Sequence, residues 1–220
     1  MLAAFAMTTG CQNKPAETAD STNAATDSVV AESPLDNAVV RAIMDRRSVR
    51  KYKPEPVPKE MLDVILHCGI NAPNAMNEQR WEVRVTESKA FIDGVTKVFI
   101  ESAKDDERVQ KMVGDPDFRN MFRNAPTVIF VAGKADEKSS PIDCGLLGEN
   151  IMLAAQSMGL GTCCLGSAAG FLNSNPGAAN YLKQLAFSDG YELLYAIAIG
   201  YPDESPEAKP RDASKIRYIE

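Results

Sequence analysis

A dense basic segment is the first part of the sequence whose residue types could bind a ligand. Residues 46–52 have the sequence RRSVRKY, and a second basic pair, Lys209 and Arg211, flanks Pro210 near the end of the chain. Guanidinium groups with a hydroxyl donor between them suit phosphate oxygens, so two such clusters could hold one phosphate together. The alternative needs no ligand, because cations at a helix C-terminus also compensate the helix dipole.

Side-chain amides are concentrated in residues 72–81, which have the sequence APNAMNEQRW. Asn74, Asn77 and Gln79 offer both donors and acceptors just before a predicted strand, and this chemistry suits the imide edge of a heterocycle. A capped loop without a ligand is the alternative. A third stretch, residues 159–166, has the sequence GLGTCCLG and combines a glycine-rich turn with two adjacent cysteines.

Composition and motif spacing exclude several functional classes. The 220 residues include 24 basic and 30 acidic side chains, a net charge of -6 that provides no broad basic surface for a nucleic acid. No run approaches the roughly 18 apolar residues of a membrane-spanning helix. The single histidine, His67, excludes a His-based metal cluster and leaves only one candidate for a His-dependent triad. Gly159-Leu160-Gly161 lacks the third glycine of a dinucleotide-binding fingerprint and follows a predicted helix, so we exclude that fold.

The cysteines indicate structural thiols. Beyond Cys11, the spacing of Cys68, Cys144, Cys163 and Cys164 matches neither a zinc site nor a CxxC redox motif. Buried structural thiols are therefore expected. A disulfide between the adjacent Cys163 and Cys164 is the less favoured alternative, because neighbouring cysteines rarely satisfy disulfide geometry.

The N-terminal residues differ in composition from the rest of the chain. Residues 1–11 predict the remnant of a lipoprotein signal peptide, with an apolar run, three small residues and then Cys11 as the acylation site. Residues 12–33 are rich in Ala, Thr, Ser, Asn and Asp and predict a disordered tether. We therefore expect a cell-envelope protein that is lipid-anchored at Cys11 and faces the periplasm. A cytoplasmic protein with a frayed N-terminus and an incidental cysteine is the alternative.

The hydrophobic pattern of residues 34–220 predicts one domain of the α+β class, because helices and strands mix without regular βαβ repeats. The predicted helices are Ser33 to about Asp45, Lys59 to Cys68, and Asp143 to Met158. The predicted strands are 81–85, 127–131, a glycine-rich strand near 161, 191–199, and a short extended tail at 216–219. Residues 89–121 are charged and weakly amphipathic, which predicts mostly helix with a break at 114–116. This stretch suits a mobile cover more than a core element.

Taken in order, the motifs resemble the FMN-dependent nitroreductase family over about residues 35–220. The series consists of Arg-Arg-Ser-x-Arg, Ala-Pro-Asn-x-x-Asn-x-Gln-x-Trp, a Gly-Leu-Gly turn leading into a strand, and a late Lys-Pro-Arg. The resemblance implies a nitroreductase-like FMN-binding fold, in which helices flank a central, mainly antiparallel sheet. It also implies a homodimer that binds FMN at the subunit interface and exchanges a C-terminal strand, for which residues 216–219 are the candidate.

The resemblance implies which residues bind the cofactor. The matches to phosphate and ribityl contacts are Arg46, Ser48, Arg50, Lys209 and Arg211. The matches to isoalloxazine contacts, contributed by the other subunit, are Asn74, Ala75 and Asn77, while Leu165 and Gly166 match the strand-loop whose backbone N–H faces flavin N5. Arg47, Pro73 and Cys164 lie in the same motifs and complete the predicted set. Two positions depart from the family: Arg80 stands where Pro is common before the Trp, and Cys163-Cys164 stands where the family varies.

The implied function is an FMN-dependent oxidoreductase. It would pass electrons from NAD(P)H or another reduced donor to a nitroaromatic, quinone or similar electron-poor acceptor by a ping-pong mechanism. No catalytic side chain is assigned, because the hydride chemistry belongs to the flavin. One alternative is a non-catalytic flavin- or ligand-binding lipoprotein, since NAD(P)H is a cytosolic donor. The other is an FMN enzyme of the same fold with another reaction, such as reductive dehalogenation, and residues 89–124 as a lid would decide between such reactions.

Overall fold

The computed structural model describes residues 34–219, which are built around a four-stranded sheet. The strands are β1 (Trp81–Thr86), β2 (Thr127–Lys134), β3 (Gly161–Leu165) and β4 (Tyr191–Gly200), in the order β1-β2-β4-β3. All neighbouring pairs are antiparallel, with Trp81 opposite Gly133 and Thr127 opposite Ile199. The two central strands are the most apolar, as expected for strands covered on both faces.

Seven helices of the described chain surround the sheet. They are α1 (Ala38–Asp45), α2 (Lys59–Ile70), α3 (Lys89–Ser102), α4 (Glu107–Val113), α5 (Ser140–Ser157), α6 (Gly166–Ser174) and α7 (Ala179–Gln184). Three short 3₁₀ turns lie at Ala75–Asn77, Pro176–Ala178 and Ala213–Lys215. The α+β class predicted from the sequence is confirmed.

Alternation along the central strands creates two cores, one on each face of the sheet. Val128 and Phe130 of β2 pack with Phe91 of α3 and Leu172 of α6 on one face. On the other face, Ile129 packs with side chains of α2 and α5, which include Ile65, Leu147 and Ile151. Successive side chains of a strand point to opposite faces, so a continuous apolar strand serves both cores. Each such buried side chain contributes on the order of 2 kcal/mol.

Helix termini account for the boundaries that differ from prediction. Helix α1 begins at Ala38 rather than near Ser33, because the side chain of Asn37 accepts hydrogen bonds from the N–H groups of Val39 and Val40. Helix α5 ends as predicted, since Gly159 adopts φ +76°, a conformation that favours glycine. The short helices α6 and α7 were not predicted, because their segments are too short to show a helical period.

Residues 89–121 are mostly helical, as predicted. The prediction that this stretch is a mobile cover is wrong for α3. Phe91, Ile92 and Val95 are buried against the sheet, so this helix forms part of the core. Its charged residues masked a short apolar stripe at helical spacing. Helix α4, in contrast, buries none of its residues.

The C-terminal tail forms no strand in the single chain. Residues 216–219 have no regular secondary structure, and Tyr218 and Ile219 are 93% and 91% exposed. A strand requires a neighbouring strand for its hydrogen bonds, and nothing in the described part of this chain pairs with the tail. Within residues 34–219, no helix has the length and apolar character needed to cross a membrane. The predicted signal and tether, residues 1–33, lie outside the described residues.

Candidate cofactor site

The basic segment runs along the free edge of the sheet. Strand β3 is an edge strand, and Ser48 pairs with its Thr162 in a parallel bridge, with the Val49 N–H donating to the Thr162 carbonyl at 2.9 Å. A β-carbon on Gly161 would lie 2.8 Å from Val49, so only glycine permits this close approach. The segment therefore covers an otherwise open edge and takes a fixed position on it.

Tyr52 anchors the end of the basic segment. Its side chain is fully buried, and its hydroxyl donates to the carbonyls of Val49 at 2.6 Å and Ala198 at 3.3 Å. Burial raises the pKa of Tyr52 far above its usual range, so the hydroxyl stays protonated and remains a donor. The backbone that presents Ser48 and Arg50 is thus tied directly to the core.

Three predicted phosphate ligands come together on this segment. Arg46 is half-buried and approaches Glu149 at 3.9 Å, and Arg50 donates to the Ser48 carbonyl at 2.9 Å. The Ser48 hydroxyl has no hydrogen bond within residues 34–219. Arg47 instead donates to the carbonyls of Met44 at 2.7 Å and Arg46 at 2.9 Å. It thereby caps α1, which is the ligand-free role that the sequence left open, and its cofactor contact stays a prediction.

Strand β3 directs its two cysteines to opposite faces. Cys163 is buried and Cys164 is exposed, and both are free thiols, so the vicinal disulfide does not form. Burial raises the pKa of both thiols, while the charges of Arg50, Arg123 and Arg46 act against this rise at Cys163. Three guanidinium groups therefore act electrostatically on this part of β3. Cys144 is a buried structural thiol whose pKa is raised by burial to about 11.

A cavity of about 430 Å³ beside the basic segment contains cations that the sequence analysis missed. Arg119 and Arg123 line it together with Arg50 and Lys51, although Asp115, Asp117, Asp203 and Glu204 line it as well. Arg119 donates to the carbonyl of Tyr52. Lys51 and Arg123 form no ion pair within the part of the chain that is described. The only sequence signal was a charged loop, which by itself predicts a solvated surface.

Two asparagines hold the loop that carries Arg123. The Asn124 side chain accepts from the N–H groups of Arg119 at 2.7 Å and Asn120 at 3.0 Å. The Asn120 side chain in turn accepts from Phe122 at 3.0 Å and Asn124 at 3.1 Å. Arg123 itself has φ +60°, a left-handed conformation that costs free energy in a non-glycine residue. The reciprocal hydrogen bonds offset this cost.

The predicted amide loop contains one amide that is free for a ligand. Asn74 accepts from the Gln79 N–H at 2.9 Å and donates to the Ala72 carbonyl at 3.3 Å, so its side chain closes the loop. The Ala75 N–H is also engaged, by the carboxylate of Asp143. The Asn77 side chain has no hydrogen bond among the described residues. Of the predicted isoalloxazine contacts, Asn77 is therefore the strongest candidate, and Pro73 has no contact that indicates a ligand.

The end of β3 offers backbone donors beside open space. Strand β3 ends at Leu165 and α6 begins at Gly166, with no side chain capping the free N–H groups of the first turn. A β-carbon built on Gly166 would meet nothing within 4 Å. Cys164 is exposed next to this space. A flat ring could therefore approach the backbone here.

The remaining predicted ligands lie apart from the basic segment. Lys209 and Arg211 are exposed, and among the described residues Arg211 donates only to the Lys209 carbonyl, at 3.2 Å. The chain is last tied to the basic segment at two adjacent residues: the Asp203 N–H donates to the Lys51 carbonyl at 2.9 Å, and the Glu204 carboxylate accepts the Arg50 N–H at 2.5 Å. Within residues 34–219, no hydrogen bond or ion pair joins either residues 205–219 or the amide loop to Arg46, Ser48 and Arg50.

The donor set fits flavin mononucleotide. Arg46, Arg50 and the free Ser48 hydroxyl suit the phosphate, the free Asn77 amide suits the imide edge of the ring, and the open first turn of α6 suits its reacting edge. An antiparallel sheet between two helical layers, with phosphate-type ligands on the segment that flanks its edge strand, is the arrangement of an α+β flavin-binding protein. The family model "Nitroreductase family" matches residues 43–201, and the chain belongs to this family.

Individual relatives share the fold over most of the chain. An NADPH-flavin oxidoreductase of Vibrio harveyi is 30% identical over 80% of this chain and 70% of its own. The crystal structure of a nitroreductase with bound FMN from Desulfitobacterium hafniense matches with a TM-score of 0.74 at 26% identity, over 84% of this chain and all of that one. An iodotyrosine deiodinase of Danio rerio is 27% identical over 79% of this chain and 64% of its own.

Proposed function

We propose that the protein is an FMN-dependent oxidoreductase that passes electrons from NAD(P)H or another reduced donor to a nitroaromatic, quinone or similar electron-poor acceptor. The observation that carries this proposal is the position of Arg46, Ser48 and Arg50 along β3, the strand that ends at the open first turn of α6. In FMN a ribityl chain joins the phosphate to the ring, so the cofactor could extend along β3 with its phosphate at the basic segment and its ring at the first turn of α6. The flavin named with the Desulfitobacterium structure supports the choice of FMN.

The residues of the chain would bind and tune the cofactor. When bound, FMN supplies the hydride acceptance and donation of a ping-pong cycle. Arg46, Arg50 and the Ser48 hydroxyl would hold its phosphate and the adjoining ribityl chain by charge-assisted hydrogen bonds. The N–H groups at Gly166 would donate to the reacting edge of the ring. Lys51 and Arg123, in the adjoining cavity, would meet the phosphates of a nicotinamide donor.

A homodimer would complete this site. A groove of about 660 Å³ lies among α1, α2 and α5, and its lining includes the apolar side chains of Val39, Val64 and Leu153. The tail leaves Ile216, Tyr218 and Ile219 exposed. We infer that a second copy covers such surfaces, and that the tail is exchanged so that Lys209 and Arg211 reach the phosphate. The Asn77 amide would meet the flavin of the partner subunit.

An envelope location is part of the proposal. Cys11 after a short apolar run supports lipidation and tethering by residues 12–33. In that compartment the donor would be something other than cytosolic NAD(P)H. Incorporation of labelled palmitate and membrane fractionation, compared between the native chain and Cys11→Ser, test the anchor. A protein that incorporates no label and stays in the soluble fraction contradicts it.

The decisive experiment is an anaerobic visible spectrum of the purified Cys11→Ser chain supplied with FMN, recorded before and after NADH or NADPH. A bound flavin band that bleaches and returns on adding a nitroaromatic or quinone supports the oxidoreductase. A bound flavin that dithionite reduces, but that neither nicotinamide reduces, points to another donor or to a ligand-binding lipoprotein. No bound flavin contradicts the proposal.

Reductive dehalogenation is the second candidate. The observation that favours it is the likeness to an iodotyrosine deiodinase. Release of iodide from an iodophenol by the dithionite-reduced protein, measured with an iodide electrode, tests it. The same protein heated past unfolding, with free FMN, serves as the control.

A further inference from the structure

The amide loop holds an unfavourable backbone conformation. Met76, Asn77 and Gln79 have φ values of +53°, +55° and +49°, in the left-handed region that non-glycine residues rarely adopt. Each such residue costs free energy relative to a relaxed backbone. Met76 is 88% exposed and contributes no packing that would offset the cost. Something outside residues 76–79 must hold this loop in place.

The first attachment of the loop is a buried carboxylate. Asp143, in the first turn of α5, is 4% exposed and accepts the Ala75 N–H with both oxygens, each at 3.3 Å. This N–H is the only hydrogen-bond donor to the carboxylate within residues 34–219, and no ion pair compensates the charge there. Burying a carboxylate with so few partners is unfavourable, although the N-terminal end of α5 offsets part of the cost. Packing alone therefore does not explain an aspartate at this position.

The second attachment lies at the other end of the loop and also leads to the start of α5. The Arg80 guanidinium pairs with Glu78 and with Glu137, the latter at 3.1 Å, and donates to the Ser139 hydroxyl at 3.4 Å. The Ser140 hydroxyl donates to the Arg80 carbonyl at 3.1 Å. Arg80 stands where the resemblance leads one to expect proline. A polar network thus provides the rigidity that a proline ring would otherwise supply.

We propose that Asp143 is a positioning residue: through the Ala75 N–H it holds the left-handed turn that presents the Asn77 amide to the imide edge of the flavin. This inference rests on the proposed function for its ligand, but the tie itself exists in the unliganded chain. Arg80 fixes the far end of the loop. Asp143 touches neither substrate nor cofactor and acts only through the backbone of residues 75–77.

The tie is tested first without any flavin. Hydrogen exchange of the Ala75 amide is measured by NMR in the native chain, in Asp143→Ala and in Asp143→Asn. We expect protection in the native chain, its loss by about 10-fold or more in Asp143→Ala, and its retention in Asp143→Asn, whose amide oxygen still accepts the bond. Unchanged protection in Asp143→Ala overturns the proposal.

The positioning role is tested by FMN affinity in a double-mutant cycle. Asp143→Ala and Asn77→Ala should each weaken FMN binding by about 10-fold, and the double variant should be no weaker than either, because both changes remove one interaction. Asp143→Asn should stay within about 3-fold of the native affinity. It loses the charge at the helix terminus just as Asp143→Ala does, so it serves as the matched control for helix stability. Additive losses in the double variant overturn the positioning role.

Failure of the proposed FMN function and failure of the positioning role of Asp143 give different experimental results. If the native chain binds no FMN, the proposed function and the flavin role of Asp143 are both overturned, while exchange at Ala75 still reports on the tie. If FMN binds but Asp143→Ala binds it as tightly as the native chain, only the positioning role is overturned.

Discussion

The two segments that carry the predicted phosphate ligands are held very differently. Residues 46–52 are bridged to β3 at Ser48 and anchored by the buried Tyr52. The tail beyond residue 204 carries Lys209 and Arg211, but it is exposed and has only one short 3₁₀ turn. Basic side chains are thus held against the sheet in the basic segment, whereas those of the tail have no such support within the described residues.

The candidate site is therefore divided between a fixed region and an unsupported one. A single chain provides a preformed half, consisting of the basic segment, β3 and the first turn of α6. The amide loop is also fixed, but no hydrogen bond or ion pair joins it to that half within the described residues. The tail gains a defined position only where another surface binds it. In the proposed homodimer a second copy would complete the site, and the following predictions test how binding is divided between the two regions.

The largest effect is expected from removing the tail. Deletion of residues 206–220 should weaken FMN binding by more than about 100-fold, because two charge-assisted hydrogen bonds are lost together. The folded domain should persist, since the described cores contain no residue beyond Tyr201. Equilibrium dialysis gives the affinity, and far-UV circular dichroism checks the fold.

A variant of the intact tail serves as the control for this deletion. Replacing Lys209 and Arg211 by Gln removes the charges and leaves the tail, so an intermediate loss of about 30-fold is expected. Affinity that is unchanged in the deletion variant would show that the tail takes no part in binding.

A somewhat smaller effect is expected from single changes in the preformed half. Arg46→Gln should weaken FMN binding by about 30-fold, as expected for one lost bond to a phosphate. Arg47→Gln is the matched control, because Arg47 already donates to two carbonyls of α1 and its loss should change the affinity by less than about 3-fold. Isothermal titration calorimetry measures the FMN affinity of both variants. Equal losses would place Arg47 in the site and contradict the capping role.

The sequence was sufficient for those parts of the fold that carry long periodic patterns. Strands β1, β2 and β4 and helices α2 and α5 were predicted because apolar periodicity directly reflects burial. The strand expected at 216–219 is absent from the single chain, since strand formation depends on a partner that the local sequence does not contain. The burial of α3 was missed because charged residues are interspersed along its sequence, while Phe91, Ile92 and Val95 decide the packing.

Site prediction succeeded for residue types and was incomplete for residue roles. The motif located Arg46, Ser48 and Arg50, but only hydrogen-bond geometry shows that Arg47 caps a helix and that Asn74 closes its own loop. Arg123 belongs to no recognisable motif. It lines the cavity because Asn120 and Asn124, which are distant from the basic segment in the sequence, hold its loop. Such roles depend on tertiary contacts, which spacing along the chain does not encode.

A stability effect is expected where the basic segment meets the core. Tyr52→Phe removes the hydroxyl that donates to Val49 and Ala198 and leaves their buried carbonyls short of a partner. The free energy of unfolding should fall by about 1–2 kcal/mol. Tyr218→Phe is the control in the other region, and its change should stay within about 0.5 kcal/mol because Tyr218 is exposed. Urea unfolding followed by fluorescence measures both, and equal effects would remove the distinction between the two regions.

The smallest effect concerns the reactivity of Cys164, which lies in the preformed half. Alkylation requires the thiolate, and burial raises the pKa of Cys164 despite its exposed position, so iodoacetamide should react slowly at pH 7. Because the pKa is raised, the rate should continue to rise above pH 9, where a free cysteine with a pKa of about 8.5 levels off. The background variant Cys11→Ser/Cys68→Ser leaves Cys164 as the accessible thiol, since Cys144 and Cys163 are buried. Mass spectrometry measures the rate.

The effect of FMN on the alkylation rate of Cys164 tests whether the ring site depends on the tail. If the ring lies over the end of β3, saturating FMN should slow alkylation at every pH. The same protection is expected in the 206–220 deletion variant once FMN exceeds its weakened dissociation constant, because Cys164 and the first turn of α6 need no tail to form the ring site. Protection in the full chain that is absent from the saturated deletion variant would mean that the tail shapes the ring site itself, and that β3 alone is not a preformed half.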